Sequence, residues 1–200
     1  MDQSSDSPVS GGRRVLSLAK DGKILCQMTV RAIVLSVLAI VCCEMLTAST
    51  PEYAVKAAYL YNFAKFTEWP NIEPPGSLTV CIYGKDPFGG FLDEAVRGKQ
   101  AHGLPVLIRR LRSGDESLDG CQILFVSSSA RIESILSLLQ GRSILTVGES
   151  IGFSERGGMI GLVMDHGGVR FDINLAAVAA ARLQVSSRLI EIGRVVGPKK

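Results

Sequence analysis

The chain has 200 residues, 46% of them apolar and 20% charged, and its formal net charge of +3 is too slight and too scattered to make a nucleic-acid surface. Arg109, Arg110 and Arg112 form the only dense basic group. Once a leader is set aside, about 150 residues remain, which suits one domain with a normal core.

Residues 1–27 are rich in Ser, Gly and charge without a sustained helix or strand period. They read as a disordered leader or as sequence ahead of a true start at Met28. Residues 28–48 read as a signal peptide: Arg31 precedes the almost wholly apolar run Ala32–Cys43, and Thr47-Ala48-Ser49 supplies the small residues of a cleavage site. A permanent anchor needs roughly 18 or more apolar residues, and Glu44 interrupts the run. Val41 ahead of Cys42 disfavours a lipoprotein. The expected product is a periplasmic domain, 49–200, released near Ala48.

That domain opens with a helix from Pro51 to about Glu68, with Thr50 placed to cap it and Trp69-Pro70 to end it. Between Tyr53 and Phe66 it is apolar nearly all round, Lys56, Asn62 and Lys65 being the clear exceptions. Such a helix is either central to the core or covered by another chain, and the pattern leaves both open. Leu78–Tyr83 is a strand by its β-branched and aromatic content; Asp86 then caps a helix that Pro87 begins and that carries Phe88, Phe91, Leu92 and Val96. Further strands are expected at Val106–Leu111 and Ile123–Val126. Ser127, Ser128 and Ser129 lead into a helix with Ile132, Ile135, Leu136 and Leu139 at i, i+3, i+4 and i+7, which Gly141 stops.

Ile144–Val147 is a fourth strand and Gly148–Gly158 a glycine-rich loop. Met159–Met164 and Val169–Ile173 flank Asp165-His166-Gly167-Gly168, a hairpin turn, and in the second arm Val169, Phe171 and Ile173 face one way while Arg170, Asp172 and Asn174 face the other. Helices at Leu175–Leu183 and Ser187–Val195 close the domain. The alternation predicts a three-layer α/β sandwich with a Rossmann-like, mostly parallel sheet and a C-terminal antiparallel hairpin.

Signatures of catalysis are absent: no phosphate loop, no dinucleotide fingerprint, no His-Glu-x-x-His and no nucleophile elbow. His102 and His166 both sit beside glycine in expected turns, and no spacing of Cys, His, Asp and Glu suggests a metal or other cofactor. Of five cysteines, Cys26, Cys42 and Cys43 lie in the segment expected to be lost. Cys81 and Cys121 remain, too far apart for a redox Cys-x-x-Cys and readable either as a disulfide or as two buried thiols. Ser127–Ser129, at a strand-to-helix junction, offer either a small-ligand site or ordinary capping.

The segment Val55-Lys56-Ala57-Ala58-Tyr59-Leu60-Tyr61-Asn62-Phe63-Ala64-Lys65-Phe66, closed by Glu68-Trp69-Pro70, resembles the opening helix of the YfiR family. Gly157-Gly158-Met159-Ile160-Gly161 with Val169-Arg170-Phe171-Asp172-Ile173-Asn174-Leu175-Ala176-Ala177, and the Ser186-Ser187-Arg188-Leu189-Ile190 start of the last helix, resemble later segments of the same family. The resemblance implies a non-enzymatic periplasmic α/β protein that binds the periplasmic part of an inner-membrane diguanylate cyclase and controls cyclic di-GMP signalling, with release tied to envelope stress or redox state. It maps the family's disulfide onto Cys81 and Cys121; a second family disulfide has no counterpart, since no cysteine follows Cys121. Expected contacts with that partner, or with a second copy in a homodimer, are Tyr59, Phe63, Phe66, Trp69, Met159, Arg170 and Asn174. The rival expectation is a small-molecule sensor using Ser127–Ser129.

Overall fold

The computed structural model describes residues 50–70, 72, 76–111, 117–130 and 132–197. All belong to the compact unit Thr50–Lys200. The leader and signal-peptide readings lie outside the described residues.

The first helix, α1, spans Thr50–Phe66. Ala57, Leu60, Phe63 and Ala64 form its fully buried stripe, while Val55 and Ala58 face outward, so its apolar surface is shared between the core and the exterior. The helix stops at Phe66 rather than Glu68. Thr67–Glu68 (β1) turn extended and pair antiparallel with Gln184–Val185 (β9), an attachment no local pattern reveals.

Strand β2 runs Leu78–Tyr83, as expected. The next helix, α2, covers only Phe91–Val96. Asp86 does accept a hydrogen bond from the Phe88 amide at 2.8 Å, but Gly89 takes φ +55°, a left-handed conformation that holds the chain in a turn and delays the helix. Gln100–Ala101 (β3) and Leu104–Leu111 (β4) form a tight hairpin through His102 and Gly103, both at positive φ, which lengthens the second strand at its start. Ile123–Val126 (β5) is buried throughout, and Ile132–Leu138 (α3) and Leu145–Gly148 (β6) follow.

Ile160–Asp165 (β7) and Gly168–Ile173 (β8) are the expected hairpin, turning through His166 at φ 46° and Gly167 at φ 79°. Helix α4, Leu175–Ala180, ends early because Arg182 adopts φ 58°. Helix α5, Ser187–Ile192, also ends early, and Arg194–Val195 form a strand, β10, instead of helix. The cause is Gly193: a Cβ there would lie 2.5 Å from Phe171 Cε2, so the backbone lies flush on that ring and emerges beside β8.

The eight-stranded sheet has the order β10-β8-β7-β6-β5-β2-β4-β3. Strands β4, β2, β5, β6 and β7 are parallel; β8 is antiparallel to β7 and β10 parallel to β8. One face packs Val80, Ile82, Phe125, Val147, Leu162 and Phe171 under α1 and α2. The other packs Cys81, Leu124, Val126 and Phe153 with Ile132 and Ile135 of α3. This is the three-layer, mostly parallel α/β arrangement read from the sequence.

Candidate functional site

In doubly wound sheets ligands enter beyond the C-terminal ends of the strands where the strand order reverses. Here that place lies between β2, which has β4 on one side, and β5 on the other. The chain's own groups fill it. Gly84, at φ +93°, lies so close to Ser127 and Ser129 that a Cβ would stand 3.2 Å from each. Ser127 is buried with its hydroxyl 3.2 Å from that of Ser129, which accepts a hydrogen bond from the Lys85 amide at 3.3 Å. Ser128 is exposed.

Beside them stands a cluster that sequence reasoning missed. Lys56, on α1, is only 4% exposed; its Nζ lies 2.6 Å from Glu52 Oε1 and 2.8 Å from Glu149 Oε2. Tyr53 donates to the same Glu149 oxygen at 3.3 Å, and Lys56 Nζ sits 4.5 Å from the centre of the Tyr53 ring. Burial by itself would lower the Lys56 ammonium, but hydrogen bonds to Glu149 and Glu52 outweigh it and hold the group above the ordinary lysine value. Burial, then the Glu149 charge, raises the Tyr53 hydroxyl. The Glu52 to Lys56 spacing of four was the available signal. Glu149 comes from a distant loop and gave none.

Cys81 and Cys121 form a disulfide across 40 residues, tying the centre of β2 to the approach to β5 within the second-face core. Arg109 Nη2 lies 2.9 Å from Cys121 Sγ and donates to the Ser117 carbonyl at 3.3 Å.

The residues expected at a contact surface separate into two groups. Phe63 is fully buried, stacked on Tyr59 and set edge-on to Phe171 at 5.2 Å. Trp69 is 9% exposed and donates Nε1 to the Gln122 carbonyl at 3.1 Å. Met159 is buried, its amide bonded to Thr146 Oγ1. Asn174 is buried as the cap of α4, accepting from the Ala177 amide and donating to the Ser154 carbonyl. Tyr59 and Phe66 are partly buried, and the Tyr59 hydroxyl donates to the Val169 carbonyl. Arg170 is exposed, and its side chain has no hydrogen-bond or ion-pair partner among the described residues.

Two surface features adjoin these residues. A groove of about 540 Å³ follows the outward side of α1, lined by Ala54, Ala58, Tyr61 and Asn62 with Phe91 and Lys99. A cleft of about 340 Å³ lies at the β7–β8 hairpin and β10, where Arg194 grips Asp172 with two hydrogen bonds of 2.8 and 2.7 Å. His166, at the hairpin tip, is almost wholly exposed and pairs with Asp165 at 2.7 Å; His102 bonds the Ala64 carbonyl near the end of α1. Among the described residues no group of His, Cys, Asp and Glu could hold a metal ion, and no helix is long and apolar enough to cross a membrane.

Among solved structures the chain is similar to a conserved domain protein from Vibrio cholerae O1 biovar El Tor (12% identity, TM-score 0.49, 72% of this chain covered). It is also similar to an ABC domain in complex with L-Trp from Streptococcus pneumonia (13% identity, TM-score 0.46, 70% covered). The match spans 60% of the length of each. No curated protein matches. The model of one family, described as YfiR/HmsC-like, matches residues 53–194, nearly the whole described domain, and the chain belongs to that family.

Proposed function

We propose that this protein is a periplasmic negative regulator that binds the periplasmic part of an inner-membrane diguanylate cyclase or related receptor and so controls cyclic di-GMP signalling. The observation that carries the reading is membership of the YfiR/HmsC-like family across residues 53–194. The buried Cys81–Cys121 disulfide supports it, because such a bond persists in oxidising compartments. The reading is non-enzymatic: the protein acts by contact. A homodimer through the outward side of α1 is part of it, supported by the exposed Val55 and Ala58 and the groove beside them.

The small-molecule alternative at Ser127–Ser129 has less support, since two of the three hydroxyls bond each other and one also serves the Lys85 amide. The test is genetic and biochemical together. Deleting the gene should raise cyclic di-GMP, and the protein should co-purify with a membrane cyclase; an unchanged cyclic di-GMP level in the deletion strain would refute the reading. Sequencing the mature N-terminus should place it just after Ala48, and sedimentation should give a dimer that a charge at Ala58 disrupts.

A further inference from the structure

The two outer sides of the eight-stranded sheet are finished differently. On the β8 side the Ile173 carbonyl accepts from the Val196 amide at 2.9 Å and the Val169 carbonyl from the Tyr59 hydroxyl at 3.3 Å, so β10 and α1 supply partners along that edge. On the β4 side the cover is shorter than the strand. β3 pairs only at Gln100 with Pro105 and at Ala101 with Leu104, and beyond them the Val106 amide donates to the Lys99 carbonyl at 3.2 Å. β4 continues to Leu111.

Successive residues of a strand turn their N–H and C=O to opposite sides. Val106 points outward to Lys99, so Ile108 and Arg110 point outward too, while Leu107, Arg109 and Leu111 face β2. The amides and carbonyls of Ile108 and Arg110 have no hydrogen-bond partner among the described residues. Donors and acceptors alternating at strand spacing fit an extended backbone. The nearby charges are already committed: Arg110 is held by Asp86 and Asp93, and Arg109 by the Ser117 carbonyl and the Cys121 sulfur. Leu107, on the same face as Arg109 and Leu111, is 50% exposed, so the side chain left to cover is apolar.

A second copy fits this edge poorly. The two-fold pairing that stays clear of β3 sets Ile108 against Arg110 of the other copy and Arg109 directly against its counterpart, like charges face to face. Pairing Ile108 with its counterpart instead drives Arg110 against Val106, which Lys99 already holds.

We propose that the open edge Leu107–Leu111 of β4 binds an extended segment of the membrane partner, which adds a strand to the sheet through the main chain of Ile108 and Arg110 and covers Leu107 with an apolar side chain. The inference rests on the regulator reading for who supplies the segment; the chemistry of the edge sets its conformation.

The test pans a display library of random heptapeptides against the purified protein and follows amide exchange. In the free protein the Ile108 and Arg110 amides should exchange fast beside a protected Arg109 amide. A selected peptide, with apolar residues at alternate positions, should slow both by about tenfold or more, the factor one hydrogen bond carries. N-methylating alternate residues of that peptide should abolish binding in one phase and spare it in the other, because only one phase turns its amides to β4. Ile108→Pro removes an amide that the fold does not use, at an outward edge position where proline is tolerated. It should weaken peptide binding about tenfold or worse, while Ile108→Ala, which keeps the amide, should still bind. If Ile108→Pro does not fold, the methylation phases on wild type decide. Peptides that leave Ile108 and Arg110 fast, binding indifferent to methylation phase, or failure to select any peptide overturns the proposal. Protection that rises with protein concentration in the absence of peptide overturns it in favour of a second copy. In the deletion strain Ile108→Ala should restore low cyclic di-GMP and Ile108→Pro, at normal protein level, should not. Full restoration by Ile108→Pro would sink the edge and leave the regulator reading standing. If deletion itself changes nothing, the regulator reading falls, and peptide selection and exchange still decide the edge.

Discussion

Removing the disulfide with Cys81→Ala/Cys121→Ala tests how much of this domain's stability depends on the oxidised state. The bond closes a loop of 40 residues between the central strand β2 and the start of β5. In the chain-entropy model such closure restricts the unfolded chain by about 4 kcal/mol at 25 °C. With a urea m of about 2 kcal/mol/M, the midpoint should fall by about 2 M. Both sulfurs lie in the packed second-face core, with Cys81 fully buried and Cys121 4% exposed, so the lost packing adds to the entropic effect. Burial also sets the kinetics: a thiol reductant should cleave the bond only through unfolding, at a rate that climbs steeply with urea. Urea curves on oxidised wild type, reduced wild type and the double variant check this. A midpoint shift under about 0.5 M, or native-state reduction as fast as in an unfolded control, would refute the reasoning.

Phe171→Ala removes the ring on which Tyr59 and Phe63 rest and should lower stability by about 3–5 kcal/mol, measured by urea unfolding. Gly193→Ala forces a Cβ against Phe171 and Ile173 and should lower it by about 1–3 kcal/mol, with β10 losing amide protection in hydrogen exchange. Arg182→Gly should raise the thermal midpoint by relieving a left-handed residue, a gain on the order of 1 kcal/mol. Lys56 and Tyr53 both have folded pKa values raised above their ordinary 10.5 and 10.0, so their contribution is complete below about pH 10 and is lost as pH rises through the folded values. Glu149→Gln should therefore shift alkaline unfolding, followed by circular dichroism, to lower pH.

Where the fold follows from local pattern, the sequence was legible. Leu78–Tyr83 and Ile123–Val126 are strands to the residue, because runs of β-branched and aromatic side chains buried on both faces admit little else. The Asp165–Gly168 turn declared itself by its glycines. Elements that exist only by contact with distant chain were not legible. The two-residue strands β1 and β9 stabilise each other, and β10 exists because Gly193 fits over Phe171. The candidate site divides the same way. Alternation placed Arg170, Asp172 and Asn174 on one face, but not that the loop with Ser154 covers the latter two and leaves Arg170 bare. Lys56 read as a polar position on α1; its burial depends on Glu149, 93 residues away.

Helix α1 decides which of the expected contacts a partner can reach. Lys56 and Tyr53 tie its first turns to Glu149, Tyr59 bonds Val169, Phe63 packs on Phe171, the Ala64 carbonyl meets His102, and Thr67–Glu68 pair with β9. Freeing Phe63 or Trp69 for an external partner would break several of these at once, leaving buried Lys56 and Glu149 without each other, which is strongly destabilising. The aromatic motif therefore supports the hairpin from beneath, and what stays outside is the Ala54 and Ala58 side of α1 and, on the other face of the sheet, Arg170. Through Tyr59 and Phe63, α1 holds Val169 and Phe171 of β8, the strand that also carries Arg170. Contacts anchored in this way lower the ordering cost of whatever binds that strand.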